Sequence, residues 1–315
     1  RGLNRVEAVL DRGARSGMGG RTGAPDVGAH MRRERTPRAR PDRLERVVAE
    51  RRVADAWRPD DKAAEGLRKL GFTVAHVVPT RGVFRGSAAV VSLAPGPARR
   101  SVLRSETAQV VEFEFGAYAE RKYPTSLMGS IALVRQTLAD AKWHREVDAA
   151  FVRGDGVRAE RPEFNLSLAA LEPIVVRRLP LLVQLRDELD LDRAIALAEE
   201  FEIDLWLRAS GSDYRIARHG AATAIPTIVP LVFPEVPSID TPEQALDHSL
   251  DRLEHWERAP TNPARLAQAG VPIALTSAGL RKPAEEFWPA VRRAVAHGLA
   301  PDEALRALTR APADM

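Results

Sequence analysis

The strongest constraint on the fold is an alternation of short apolar strand patterns with amphipathic helix patterns along most of the 315 residues. Strands are predicted at 72–78, 181–185, 203–207, 225–233 and 272–275. Helical periodicity marks the stretches 127–143, 189–201, 242–256, 263–269, 283–297 and 301–309. Strands that alternate with helices predict parallel βαβ units, and nearly continuous apolar strands indicate a sheet covered on both faces. The sequence therefore predicts an α/β fold.

A (β/α)8 barrel of the TIM type is favoured over an open doubly wound sheet. Such barrels occupy roughly 250 residues, so one barrel with insertions fits the chain. The sequence has no dinucleotide fingerprint and no phosphate loop. The β-rich stretches 87–93 and 109–115 predict an antiparallel hairpin insertion. Because the chain starts at Arg1 and stops at Met315 directly after a helical pattern, we expect truncated ends and an incomplete barrel.

The first part of the chain has a different composition from the rest. Residues 1–58 hold 15 Arg and 8 acidic residues, whereas the remainder is slightly acidic. This segment is rich in Gly and Pro and lacks the apolar density to fold alone. It also lacks aromatic side chains among the arginines at 32–52, so base stacking has no platform and nucleic acid is not an expected partner. We therefore divide the chain into an irregular segment, 1–58, and a barrel domain, 59–315.

Composition excludes several classes of site. The chain has no cysteine, which rules out disulfides, thiolate zinc sites, iron–sulfur clusters and a cysteine nucleophile. No apolar run approaches the roughly 18 residues that cross a bilayer, so no membrane contact is expected. A small molecule is the expected partner, and the sequence leaves the compartment and the oligomeric state open.

Polar residues follow each predicted strand, where the chemistry of parallel α/β barrels takes place. Asp187 and Asp213 are the candidate acid–base pair. Four further residues are candidates for substrate binding, namely Arg186, Arg208, Ser210 and Ser277. The alternative interpretation is that these residues are solvated loop starts and helix N-caps, which every such barrel has.

The seven histidines do not form the pairs that hydrolytic metal sites use. A zinc site is typically marked by His-x-His on a strand or by two histidines four apart on a helix, and the sequence has neither. His76 is the only histidine within a predicted strand. We expect it to be a hydrogen-bonded residue of the barrel interior, with a metal or acid–base role as the alternative.

Several segments resemble the amidohydrolase superfamily, specifically its imidazolonepropionase-like branch. The resemblance spans roughly residues 25–315 and is carried by Phe-Arg-Gly-Ser at 84–87, Tyr-Pro-Thr-Ser-Leu-Met-Gly-Ser at 123–130, Gly-Ser-Asp-Tyr-Arg at 211–215, His-Trp-Glu-Arg-Ala-Pro-Thr-Asn-Pro at 255–263 and Thr-Ser-Ala-Gly-Leu at 276–280. It implies a barrel that hydrolyses carbon–nitrogen bonds other than peptide bonds. It also implies zinc or another divalent metal, held by histidines on several strands and by an Asp on the last one.

This sequence departs from that ligand pattern. The strands predicted at 181–185 and 203–207 contain no histidine, and Ala278 stands where the family carries its Asp. No metal ligand or bound cofactor is therefore assigned to any residue. Two hypotheses follow: a hydrolase acting on a small, possibly cyclic amide, and a catalytically silent barrel that binds a ligand or a partner.

Overall fold

The computed structural model describes residues 10–11, 46–58, 60–116, 123–154, 163–215, 225–237, 241–246 and 248–315. The glycine-rich stretch 13–23 and most of the arginine-rich segment lie outside the described residues, as do His30 and His219. None of the described helices combines the length and the apolar character that crossing a bilayer requires.

The described residues form ten strands and thirteen α-helices. The strands are β1 (Leu10–Asp11), β2 (Val74–Val78), β3 (Phe84–Ser87), β4 (Ala89–Ser92), β5 (Val102–Arg104), β6 (Gln109–Glu112), β7 (Leu181–Gln184), β8 (Leu205–Arg208), β9 (Thr227–Pro230) and β10 (Ile273–Thr276). The helices are α1 (Val53–Ala56), α2 (Asp61–Lys69), α3 (Ala98–Ser101), α4 (Leu127–Arg153), α5 (Leu166–Ala170), α6 (Glu172–Val175), α7 (Asp190–Phe201), α8 (Pro242–Leu246), α9 (Leu250–Arg258), α10 (Asn262–Gln268), α11 (Pro283–Ala296), α12 (Pro301–Leu308) and α13 (Arg310–Asp314).

A six-stranded sheet forms the centre of the molecule, in the order β10-β9-β8-β7-β6-β3. The strands β6 to β10 are parallel, and β3 pairs antiparallel with β6 at one edge. The predicted parallel α/β organisation is thus confirmed. The strands of the described residues do not close into the predicted barrel. Instead, β2 pairs antiparallel with β4 in a separate four-stranded sheet, β1-β2-β4-β5.

The predicted hairpin between 87–93 and 109–115 does not form, since only Ser87 of the first stretch pairs with β6 and the other partners of β6 in β3 are Phe84 and Gly86. Ser87 pairs with Gln109 in an antiparallel ladder between β3 and β6. The chain then leaves this ladder at Ala88, and β4 pairs with β2. The stretch 87–93 is therefore shared between two sheets, which a pattern of apolar residues does not indicate.

Apolar side chains pack on both faces of the large sheet. We call the face of the large sheet that α4 and α7 cover the outer face, and the opposite face the inner face. On the outer face, Val111 and Val183 lie in one core with Leu133 and Leu138 of α4 and Leu197 of α7. A second core joins strands β2, β9 and β10 to helices α2, α11 and α12. On the inner face Val110, Leu182 and Ile228 form a third cluster. Burial on both faces explains why the parallel strands are almost wholly apolar.

Residues 46–57 pack against this α/β unit. Val47 and Arg52 form isolated bridges with the two ends of β3, and Ala49 and Trp57 are buried. The Gln109 side chain donates a hydrogen bond to the carbonyl of Ala49 over 2.8 Å. The division at residue 58 stays a prediction, although these contacts tie the residues just before it to the sheet.

Candidate functional site

A layer of polar side chains crosses the inner face of the large sheet at its carboxyl end. Glu112, Gln184 and Arg208 lie in one register across β6, β7 and β8, as the last residue of each strand. Side chains in register on neighbouring strands point to the same face. Two residues earlier, Val110 and Leu182 belong to the apolar inner cluster. The layer thus lies where parallel α/β enzymes carry their chemistry.

Arg85 is the central member of this polar layer. It lies on β3 and is only 6% exposed. Its guanidinium donates to the side-chain oxygen of Gln184, forms an ion pair with Glu112 over 2.7 Å, and donates to Glu114 over 3.1 Å. Its Nε also donates to the carbonyl of Gly82. Four acceptors therefore surround one buried cation.

Two of the arginines in this layer are matched by its two carboxylates, and Arg208 adds a further positive charge near Glu112. Arg46 donates to the second oxygen of Glu114 over 2.9 Å, so two arginines share two carboxylates. Burial raises the pKa of the Glu112 carboxyl, while the nearby charge of Arg85 acts in the opposite direction. Side-chain Nε2 of Gln184 is buried without a hydrogen-bond partner among the described residues. This amide group can donate to a ligand atom that reaches it at the carboxyl end of β7.

The residues predicted after β7 contact the first turn of α7 and the segment that follows β6. Asp187 accepts from the backbone N–H of Asp190, the first residue of α7, and lies 3.5 Å from a guanidinium nitrogen of Arg193. The guanidinium of Arg186 donates to the carbonyl of Phe113 and stacks on Phe115, 4.5 Å from the ring centroid. The Asp187 carboxylate thus accepts from the first N–H of α7, and its acid–base role stays a prediction.

The residues predicted after β8 form a compact turn around Asp213. Its carboxylate accepts from the backbone N–H groups of Ser210 and Gly211, from the Ser210 hydroxyl and from the side-chain amide of Asn262. Asp213 is buried, with these four donors directed at its two oxygens. The carboxylate therefore fixes the turn, and a partner role with Asp187 stays a prediction.

We expect Asp213→Asn to lower the free energy of unfolding by about 1–3 kcal/mol, because an amide turns one accepting oxygen into a donor that faces other donors. Urea denaturation measures the change. Asp187→Asn is the matched control, since this half-exposed side chain accepts only one backbone hydrogen bond, and its cost should be smaller. Equal costs for the two variants would contradict the structural role of Asp213.

A further charged cluster next to this turn was not among the predicted site residues. Arg215 donates to Glu188 over 3.1 Å and to Asp251 over 2.7 Å, and Glu188 accepts from the hydroxyl of Ser212. The Tyr214 hydroxyl lies 3.2 Å from Nδ1 of His255. Partial burial and the charge of Arg215 lower the pKa of His255. Ser212, Tyr214, Arg215 and His255 belong to the segments quoted for the resemblance, whereas Glu188 and Asp251 do not. Glu188 and Ser212 were also marked as polar residues that follow predicted strands.

A wide cleft beside the sheet lies after β9 and β10. It has a volume of about 900 Å³ and is lined by the segments 231–237 and 279–281 together with α9 and α11. Its apolar part includes Phe233, on which Arg293 stacks 5.5 Å from the ring centroid. The indole N–H of Trp256 is buried in this wall without a hydrogen-bond partner in the described chain.

A glycine shapes one wall of this cleft. Gly279 has φ of +91°, and a Cβ at this position would lie 2.8 Å from Cγ2 of Val232. The preceding residues, Ser277 and Ala278, are both buried. Ala278 packs in the apolar inner cluster, and its N–H donates to the Thr276 hydroxyl. Ser277 is thus at the end of β10 as predicted, whereas its role in substrate binding stays a prediction.

The residues at the strand ends do not fit the divalent metal that the resemblance implies. The positions at the carboxyl ends of β6 to β10 are Glu112, Gln184, Arg208, Pro230 and Thr276. Arg85 already neutralises the carboxylate of Glu112, and a guanidinium repels a cation. In the described residues no three His, Asp or Glu side chains converge as metal ligands would. No reaction step through a metal is therefore derived for this chain.

Comparison with known proteins shows the fold. The chain is similar to the crystal structure of an amidohydrolase from Thermotoga maritima, with a TM-score of 0.69 and 21% sequence identity. The superposition covers 85% of this chain and 67% of that protein. This chain and the Thermotoga maritima amidohydrolase have the same fold. No protein-family profile matches the sequence, and no curated protein matches it.

Proposed function

We propose that this protein is an amidohydrolase-like barrel that binds a small molecule at the carboxyl ends of its strands. The observation that carries the proposal is the cleft of about 900 Å³ after β9 and β10. Ligand sites of proteins are clefts of roughly 300–1,000 Å³ with an apolar lining and a few directed polar groups. This cleft has both features and lies at the end of the sheet where such folds bind their ligands.

The polar groups of the cleft favour a molecule with hydrogen-bond acceptors. The indole N–H of Trp256 is buried in the wall without a partner in the described chain and can only donate, so a ligand carbonyl or carboxylate oxygen that reaches it would satisfy it. Arg293 is held over Phe233 and directs a guanidinium at the same cleft. A cyclic amide offers a carbonyl to the indole and an apolar ring to the aromatic wall. We therefore propose a small, acceptor-rich molecule of this kind as the ligand.

A second candidate function is hydrolysis of a carbon–nitrogen bond other than a peptide bond. The shared fold with the Thermotoga maritima amidohydrolase favours it. Asp187 and Asp213 would then be the acid–base pair, and Arg186, Arg208, Ser210 and Ser277 would contact the substrate. The polar layer favours the binding function instead, because Arg85 occupies its centre and leaves Glu112 charge-balanced.

Hydantoin, a cyclic diamide, distinguishes the two functions. We expect saturable binding of hydantoin in nuclear magnetic resonance titrations of the full chain after dialysis against zinc. We also expect the affinity to be unchanged by a chelator, because no three His, Asp or Glu side chains of the described residues converge as metal ligands would. Elemental analysis should find less than one zinc per chain, and hydantoin should be recovered intact by chromatography.

Trp256→Phe is the matched variant, since it keeps the aromatic ring and removes only the N–H. We expect this variant to bind hydantoin about fivefold to tenfold more weakly, which corresponds to the loss of one hydrogen bond.

Ala278→Asp tests metal binding directly and should not restore zinc binding, because the histidine partners are also missing. One tightly held zinc per chain, together with hydrolysis that a chelator abolishes, would establish the second candidate and overturn the first.

A further inference from the structure

A second cavity lies between the two sheets, on the side of the molecule covered by the last helix. Its volume is about 270 Å³. The lining residues come from β2, β4, β5, β8, β9 and the end of α13, and they include His76, Val90, Trp206 and Met315. A neighbouring cavity shares Trp206 and Met315 and is lined by Pro226 and Pro272, which precede β9 and β10. The site therefore lies toward the amino ends of these strands, away from the cleft.

His76 is placed in this cavity by the register of β2. Its neighbours in the strand, Ala75 and Val77, pack into the core with α2 and α11, so His76 faces the opposite side. There Nε2 lies 2.8 Å from the hydroxyl of Thr107, which also lines the cavity. His76 is 7% exposed, and its Nδ1 makes no hydrogen bond to the described residues. One buried ring nitrogen is thus available to a ligand.

The remaining lining is mostly apolar. Val74, Val90 and Ile228 form the walls between the sheets, and Trp206 supplies an aromatic surface. Burial lowers the pKa of His76 to about 4, so the imidazole is neutral near pH 7. Arg104 also lines the cavity, and its side chain is exposed. The side chain that contacts the His76 ring is the uncharged Thr107, so a charged ligand group beside His76 would lose its hydration without a charged partner. The surroundings of His76 therefore favour an uncharged molecule.

We propose that this cavity binds a small neutral aromatic molecule that carries one hydrogen-bonding group, held against the His76–Thr107 pair. The size supports this class of ligand, since an apolar protein cavity of roughly 150 Å³ is known to hold benzene. A volume of about 270 Å³ has room for a bicyclic ring of the indole type. The proposal is independent of the function proposed for the cleft, because the two sites have no lining residue in common.

Indole and indene are the probes, because they have nearly the same shape and only indole has an N–H. In calorimetric or nuclear magnetic resonance titrations of the full chain, we expect indole to saturate a single site. Indene should bind about tenfold more weakly, which corresponds to one lost hydrogen bond. Absence of saturable indole binding, or equal affinity for both probes, would overturn the proposal.

Variants locate the binding site. Val90→Phe and Val74→Phe each fill the cavity from a half-buried wall position, and each should abolish indole binding while thermal unfolding shows a folded chain. Two positions are used so that one poorly folded variant does not decide the test. Val232→Phe, in the cleft after β9, is the control and should leave indole binding unchanged. Indole binding that survives both cavity variants, or is lost in the control alone, would refute the assignment.

Discussion

Arg85→Met is expected to lower the free energy of unfolding by about 3 kcal/mol. Removing one partner of a buried ion pair typically costs 3–5 kcal/mol, because the remaining charge is left without compensation. We take the lower end because the side chains of Glu112 and Glu114 are 22% and 35% exposed. Methionine keeps much of the volume of the arginine stem, so the loss reports charge and hydrogen bonding rather than a cavity. Chemical denaturation with two spectroscopic probes measures it.

Two further variants separate the buried network from a general effect of losing an arginine. Arg135→Met removes an exposed pair with Glu200 and should change stability far less. The double variant Arg85→Met with Glu112→Gln should recover part of the loss, because it also removes the stranded carboxylate. If the single variant Arg85→Met is as stable as the wild type, Arg85 does not hold the strand ends together.

The parallel half of the fold could be predicted because its strands are marked by local sequence. The β7–α7–β8 unit has an apolar strand, an amphipathic helix and a second apolar strand, and the structure places all three within two residues of the predicted bounds. Helix α4 begins at Leu127 as predicted, where the Ser126 hydroxyl accepts from the N–H of Gly129. It extends ten residues beyond the predicted end and stops at Gly154 in the left-handed region.

The division into two sheets could not be predicted, because strand pairing depends on contacts between distant residues. The switch at Ala88 from the β6 ladder to the β2 ladder has no local signal, since the apolar pattern continues through it. Apart from Arg208, the polar layer was not predicted, for a related reason. Arg85, Glu112 and Gln184 lie far apart in sequence, and none of them follows a predicted strand.

The role predicted for His76, a hydrogen-bonded residue of the interior, agrees with its contact to Thr107. The burial of this ring makes us expect a pH-dependent contribution to stability, which the sequence did not indicate. Burial lowers the pKa of His76 to about 4 from an ordinary value of 6.5. In the folded protein the ring therefore stays neutral over a range of pH in which the unfolded chain binds a proton. Acid thus favours the unfolded chain through this residue.

We accordingly expect His76 to remove about 3 kcal/mol from the free energy of unfolding as the pH falls from about 7 to about 4. One pKa unit corresponds to about 1.4 kcal/mol, and the stability is lost between the unfolded value of 6.5 and the folded value of about 4. His76→Gln can still bond to Thr107 but does not titrate, so its stability should depend less steeply on pH in this window. Urea unfolding at half-unit intervals of pH measures the difference.

The matched control is His297→Gln, which also removes one histidine from the unfolded chain. His297 is exposed at the end of α11, where its Nδ1–H donates to the carbonyl of Arg293 over 2.7 Å. Because the His297 ring is exposed, this variant controls for the loss of an imidazole as such. The burial argument for His76 requires the two profiles to diverge below about pH 6.5. Parallel profiles for His76→Gln and His297→Gln down to pH 4 would show that His76 gains its proton without unfolding.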